Sequence, residues 1–435
     1  MFNTIKNALK TPDVRKRLLY TLLLIVIFRL GCFISVPGID PALLNANDSE
    51  GIKGLINLLT GGAFTRLSIF AMSITPYITA SIVIQLLGMV IPSLEKLTKE
   101  GGETERAKIN RYTKLLTLVL SLAEGLGIYL MYKPAFVNPG VLTGFIVVLS
   151  FMTGTAILMW LGEQITSKGI GNGISMLIFV GIISGLGTGA KSIFNSVFAT
   201  TFSTKNLLIA LAIIVGFVAL IAAVVFVQQA ERKVPVQYSK KVVGRKMMGG
   251  QNTHIPLKLA MAGVMPIIFA SSFMTFPAMV IQLVNPNITA QTGFWNWIYN
   301  VSIATSSSVD IKYTIINAII YVLLIVGFTF FYTYATFNPA EISSNIKKNG
   351  GFIPGIRAGK STTEYLSSII TKLTVFGGIF LALIAIIPML FSYLPLGANL
   401  AFGGTSILIV VGVALETVQQ LESQVVMKHY KGFLE

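Results

Sequence analysis

Cysteine is almost absent from this chain: Cys32 is the only one, and it lies inside an apolar run. A single thiol closes no disulfide within the chain and supplies no spaced set for zinc or redox exchange. Histidine is nearly as scarce, with His254 and His429 far apart in sequence, so no metal pair is suggested. Charge is thin too, at 11% of residues against 54% hydrophobic, and the mean hydropathy is +0.76. That balance excludes an ordinary soluble domain with a hydrated surface. Walker loop, strand-borne GxGxxG, HExxH and nucleophile elbow are all missing. The glycine-rich string GIGNG at 169–173 has no strand before it and reads as a tight turn ahead of a helix. The chain is therefore not expected to be an enzyme or to need a cofactor or metal.

What is present is a series of apolar runs near 18–36, 69–91, 115–132, 141–161, 173–189, 207–227, 259–283, 313–334, 369–390 and 402–418. Each is close to the ~20 residues that carry a helix across the hydrocarbon core. Runs this long suit helices, whose backbone hydrogen bonds are satisfied internally, rather than the short alternating strands of a barrel. The expected class is an all-α polytopic membrane protein of about ten spans. The basic N-terminal stretch before the first run suggests a signal peptide, but no small-residue cleavage site follows, so a retained first span is expected.

Charge placement tests this map. With both termini cytoplasmic, 25 of the 33 Lys and Arg residues fall on the cytoplasmic side, and outside remain Lys53, Lys133, Lys191, Lys205 and Lys312. The basic residues are thus concentrated in loops between apolar runs, without aromatic platforms, which favours anionic lipid and cytoplasmic proteins over nucleic acid.

Two features depart from a plain bundle. LINLLTGGAF at 55–64 is about half a span long and reads as a short re-entrant helix, tolerated at membrane depth only inside protein or a water-filled cavity. The alternative is an interfacial helix lying on the membrane. The loops at 228–258 and 335–368 are long, basic and punctuated by Gly and Pro, and are read as docking loops with shaped tips.

Ionisable groups inside the spans are few, with Arg29 and Glu124 the clearest and Glu163 and Glu416 near ends. A proton relay or ion-coupled transporter normally needs several converging acids and broken helices in both halves. The polar set here is mostly uncharged: Ser81 and Gln85 share one helical face, Ser271 and Thr275 another, with Ser272 between them. Such groups at a helix interface act as weak glue, about 0.6 kcal/mol each.

Six blocks then carry a resemblance over almost the whole chain: RLGCFISVPGID at 29–40, GGAFTRLSIFAMSITPYITASIVIQLL at 61–87, ITSKGIGNGISM at 165–176, THIPLKLAMAGVMPIIFASS at 253–272, NPAEISSNIKKNGGFIPGIRAGKST at 338–362 and FGGTSILIVVGVALET at 402–417. In this order they closely resemble the bacterial SecY family, the protein-conducting channels of the Sec translocase. The resemblance implies two pseudo-symmetric halves of five spans, 18–189 and 207–418, between cytoplasmic segments 1–17 and 419–435, joined by an external loop at 190–206. It implies a half-length re-entrant plug at 53–66, carried by Leu55, Ile56, Leu58, Leu59, Gly61, Gly62, Phe64 and Arg66. It places an aliphatic pore ring on Ile78, Ile82, Ile178, Ile268 and Ile409.

The same resemblance implies a lateral gate at Ser81, Gln85, Glu124, Ser271, Ser272 and Thr275. It also implies a docking face for the motor ATPase SecA and the ribosome at Arg232, Arg245, Lys246 and Arg357. SecE and SecG are the implied subunits, the bacterial plasma membrane the implied location, and signal sequences and unfolded preproteins the implied cargo. Three departures stand out: Ala358 where the family commonly has proline, Lys246 where it often has arginine, and Glu124 where glutamine is frequent. A secondary transporter for a small solute is the rival reading, supported by inverted halves and opposed by the scarcity of intramembrane acids. A membrane-embedded enzyme comes third.

Overall fold

The computed structural model describes residues 11–39, 62–94, 102–198, 204–238, 241–243, 246–248, 252–285, 293–304, 310–391 and 404–431. Each expected apolar run falls on one helix: α1 (Pro12–Gly31), α2 (Thr75–Val90), α3 (Glu103–Met131), α4 (Val141–Lys168), α5 (Gly173–Phe198) and α6 (Thr204–Gln229) in the first part of the chain. After the strands β1 (Glu231–Tyr238), β2 (Lys241–Val243), β3 (Lys246–Met248) and β4 (Asn252–Lys258) come α7 (Met265–Val284), the short α8 (Phe294–Ile303) and α9 (Ile311–Thr336). The chain then forms α10 (Pro339–Lys348), β5 (Gly351–Phe352), α11 (Lys360–Phe391) and α12 (Gly404–Lys431). Among the described residues, 6 helices are long and apolar enough to cross a membrane, and shorter apolar stretches run over Thr75–Gly88, Gly173–Gly185 and Met265–Ala278.

The surface is as apolar as a bilayer solvent requires. Along α6, Leu208, Leu211, Ile214, Val215, Val218 and Phe226 are all exposed, an arrangement unfavourable in water and neutral against lipid tails. Inside, the helices sort into two groups. Leu24 and Phe28 of α1 and Cys32 just after it pack with Leu158, Leu161 and Ile165 of α4 and Leu177 of α5 in one core. Leu220 and Val224 of α6, Ile267 and Ala270 of α7, Ile325 of α9, Leu381 of α11 and Leu408 of α12 form the other. The groups meet where α7 contacts α2 and α3, where α5 contacts α6, and where α12 contacts α1 and α5.

Several boundaries differ from expectation. The run at 69–91 becomes helical only at Thr75, and the run at 259–283 only at Met265. In both, a proline occupies the start of the helix, Pro76 and Pro266, where its missing N–H costs nothing. The residues ahead of α2 form tight turns in which Leu67 and Ser73 adopt positive φ, 40° and 52°. Helix α5 continues to Phe198, through residues expected in the external loop.

The loop at 228–258 is a β-hairpin rather than an irregular loop. β1 pairs antiparallel with β4 and, at Gln237 and Tyr238, with β5 of the other loop, giving the order β4-β1-β5. Pro235 faces His254 and Pro256 faces Lys233, so both prolines occupy the same class of pair. The neighbouring pair is hydrogen bonded, Leu259 N–H donating to Ala230 O at 2.9 Å; counting from it by alternation puts both prolines at non-hydrogen-bonded positions, where no ladder donor is lost. Val234, Val236 and Leu257 bury one face of this sheet against Ile346, Ile353, Leu366 and Ile369. The two basic loops thus share a small core of their own.

Candidate functional site

Two helices begin alike. Thr75-Pro76-Tyr77-Ile78 opens α2 and Met265-Pro266-Ile267-Ile268 opens α7, each after a non-helical approach. Those approaches are buried, with Leu67, Ser68, Ala71 and Ile74 before α2 and Ala260 and Ala262 before α7. Irregular backbone at membrane depth persists only inside protein or along a cavity, and interrupted segments at corresponding places in two halves point to a site between them. The sequence carried this signal in its paired prolines, although apolar-run counting passed over it.

The fourth residues of the two helices, Ile78 and Ile268, meet in one place. A buried cluster joins Ile178 and Ile182 of α5, Ile268 of α7 and Ile409 and Val413 of α12, with Ile78, Ile174, Phe179 and Val264 packed against it. It receives side chains from both groups of helices. Ile178, Ile268 and Ile409 are 6%, 9% and 4% exposed. Ile82, one turn beyond Ile78, is buried but does not belong to this cluster. Four of the five expected ring residues are therefore in contact through it.

Of the expected plug, Leu55, Ile56, Leu58, Leu59 and Gly61 lie outside the described residues. Gly62 has φ of +90°, and Phe64 is buried with Val36, Leu67, Tyr129, Phe136 and Phe151. Its ring meets Tyr132 edge-on at 6.0 Å. The residues just after this segment are held to the stretch that follows α1 by two backbone bonds, Val36 N–H to Leu67 O at 3.0 Å and Ile69 N–H to Ile34 O at 2.9 Å. Arg66 is exposed, with its guanidinium 4.6 Å from the Phe33 ring centre, and Arg29 approaches the same ring at 5.9 Å.

At the expected gate, α7 packs on both α2 and α3, so the seam is closed. Gln85 donates to Ser81 Oγ at 3.4 Å along its own helix. Ser271 donates to Ile268 O at 2.9 Å, and the Thr275 hydroxyl lies 3.0 Å from Ser271 O and 3.1 Å from Ser272 O. These hydroxyl hydrogen bonds stay within one helix, so the polar stripes do not lock the seam through them. Ser272 is half-buried on α7 and Glu124 is buried on α3.

The docking residues divide. Arg232 is exposed on β1, Lys246 opens β3, and Arg245 lies outside the described residues. Arg357 is exposed on a turn whose backbone is fastened from both sides. Thr362 Oγ1 donates to Arg357 O at 3.0 Å and Ser343 Oγ to Gly359 O at 2.9 Å. Gly355 and Gly359 have φ of +81° and +109°, values that would strain a residue bearing Cβ. Helix α10 braces the turn, with Asn338 capping its first N–H groups and Lys347 and Lys348 at its C-terminal end.

The glycine turn expected at 169–173 is present, but what it is tied to was not legible in the sequence. The glycine turn between α4 and α5 is tied to both ends of the chain: Ile170 N–H donates to Thr21 Oγ1 of α1 at 3.1 Å, and Gly171 N–H to Gln420 Oε1 of α12 at 2.7 Å. Asn172 Oδ1 accepts from Ile174 N at 3.2 Å and Ser175 N at 3.5 Å, capping α5. Val14, Ile170, Leu421 and Val425 form a small core around the tie.

Comparison with known proteins agrees with this geometry. The SecY family model matches residues 68–418. The chain is 43% identical over 443 residues to the protein translocase subunit SecY of Halalkalibacterium halodurans, covering 100% of both. It is 42% identical over 446 residues to that of Bacillus subtilis (strain 168), again covering 100% of both. Among solved structures, a protein-conducting channel superposes with a TM-score of 0.68 at 21% identity, covering 94% of this chain and 91% of that one. Sec61 from the canine ribosome-channel complex of the endoplasmic reticulum gives 0.65 at 20% identity, with coverage of 94% and 91%.

Proposed function

The chain belongs to the SecY family, and from that premise we propose that Ile78, Ile82, Ile178, Ile268 and Ile409 form the constriction through which an unfolded polypeptide crosses the membrane. The chain is a multi-pass protein-conducting channel subunit of the Sec translocase and performs no chemistry of its own. The observation that supports the ring is the buried aliphatic cluster, which gathers Ile78, Ile178, Ile268 and Ile409 from both halves. Branched alkyl groups offer water no hydrogen bonds, so a narrow ring of them dewets and blocks ions. They also cede to an extended chain, whose own side chains replace the contacts they lose.

The halves, residues 18–189 and 207–418, would part at the seam of α7 against α2 and α3. A signal sequence or transmembrane segment gains burial by passing there into lipid at about 25 cal/mol per Å². The weak, intrahelical bonds of Ser81, Gln85, Ser271 and Thr275 oppose that opening little. Segment 53–66 would seal the external side as the plug. The fastened turn at Arg357 and the sheet carrying Arg232 would receive SecA or the ribosome, and SecE and SecG would complete the complex in the bacterial plasma membrane, with both termini cytoplasmic.

Reconstitution tests this reading. Vesicles holding the chain with SecE, supplied with SecA, ATP and a preprotein, are expected to shelter the preprotein from added protease. Uptake of a small solute by SecE-free vesicles, with no sheltered preprotein, would favour the transporter instead.

A further inference from the structure

The connection between α7 and α9 carries two of the 3 tryptophans of the chain, and α8 turns them outward. Phe294, Trp295 and Trp297 are 68%, 63% and 41% exposed. They form a cluster, with the Phe294 and Trp297 rings stacked at 6.3 Å. The other end of α8 is held firmly. Tyr299 and Ile303 pack on Ala278 and Ile281 of α7, and Asn317 of α9 donates to Val301 O at 2.6 Å.

These contacts fix where α8 lies along its neighbours. Ala278 lies six residues before the end of α7 and Asn317 six after the start of α9, each about 9 Å along a helix at ~1.5 Å per residue. Both measures set the buried end of α8 alongside its neighbours, short of their ends, rather than beyond them. No charged residue occurs between Gly293 and Ala304. On the outward faces of α7 and α9, Phe273, Phe276, Val284, Ile311 and Ile315 are exposed, with the charged Asp310 and Lys312 exposed beside Ile311.

We propose that α8 is an interfacial anchor whose first turn rests in the phospholipid headgroup–acyl boundary, with Phe294, Trp295 and Trp297 against lipid. An indole is suited to this layer because its ring is apolar while its N–H needs an acceptor, and lipid ester carbonyls provide one. The uncharged face demands no particular headgroup. Because α7 is one wall of the proposed gate, on which reading this consequence rests, the anchor holds the end of that wall at constant depth while the seam opens.

The test uses tryptophan emission from the full chain in phosphatidylcholine vesicles. The emission of Trp160→Phe minus that of Trp160→Phe/Trp295→Phe/Trp297→Phe isolates the two indoles of α8. Lipids brominated near the headgroup are expected to remove most of this difference signal, with bromines near the chain ends and aqueous iodide removing much less. Strong iodide quenching with none from bromolipid would place α8 in water. Resistance to both would place it against protein, and stronger quenching by the deep bromines would bury it in the core; each overturns the proposal. Trp160 of α4, itself exposed, reports in Trp295→Phe/Trp297→Phe whether the bundle is in the bilayer. Loss of the anchor is thereby distinguished from loss of the membrane reading.

Discussion

Replacing Ile268 by Asn asks whether the cluster between the halves is a seal. Ile268 is 9% exposed among Ile178, Ile182, Ile409 and Val413. Removing its side chain from this packing forfeits about 2 kcal/mol of burial, and leaving an amide dry there costs a further ~1–3 kcal/mol. Both penalties fall on the closed arrangement, since water can reach the amide once the ring parts. The closed-to-open balance should therefore move by about 3 kcal/mol or more, a factor of about a hundred. The assay is ionic current across planar bilayers with no precursor present. Ile268→Asn should conduct far more often than the parent chain, whereas Ile268→Leu, which keeps volume and polarity, should differ little. Val218→Ala on the exposed face of α6 should change nothing. Equal currents from Ile268→Asn and the parent would refute the idea that this cluster excludes ions by being apolar.

Other outcomes follow from the fastened elements. Thr21→Val leaves the buried Ile170 N–H without its acceptor, so thermal unfolding in detergent should show a loss of about 1–3 kcal/mol. Gly154→Ala drives a Cβ into the carbonyl oxygen of Ile69, and since backbone must yield, the same measurement should show a loss of ~1–3 kcal/mol. Arg357→Glu should abolish SecA-driven transport while leaving the unfolding temperature unchanged, because the exposed side chain plays no part in the carbonyl contact with Thr362.

The long helices were legible because hydropathy and length alone select them: α6 and α9 need no partner to be recognised. Starts were less legible. Residues 69–74 and 259–264 are apolar like the helices they precede, and only Pro76 and Pro266 mark where helix begins. The hairpin was obscured because its prolines look like loop residues until the pairing parity is known. The cluster proposed as the pore ring is a sharper case. Ile78, Ile178, Ile268 and Ile409 are indistinguishable by type from dozens of packing residues, and a ring assembled from four helices has no one-dimensional signature. The tie of Gln420 to Gly171 spans 249 positions, and nothing in local spacing announces it.

The most direct measurement places a thiol in the ring. Cys32 is buried; with it replaced by Ala and a cysteine installed at Ile82 or Ile268, membranes holding a stalled precursor with one cysteine in its translocating segment are oxidised. A disulfide between precursor and ring, absent when the cysteine is at Val218, is the predicted result. An engaged precursor that forms no crosslink at either ring position, or one equally strong at Val218, would contradict a polypeptide path through this cluster.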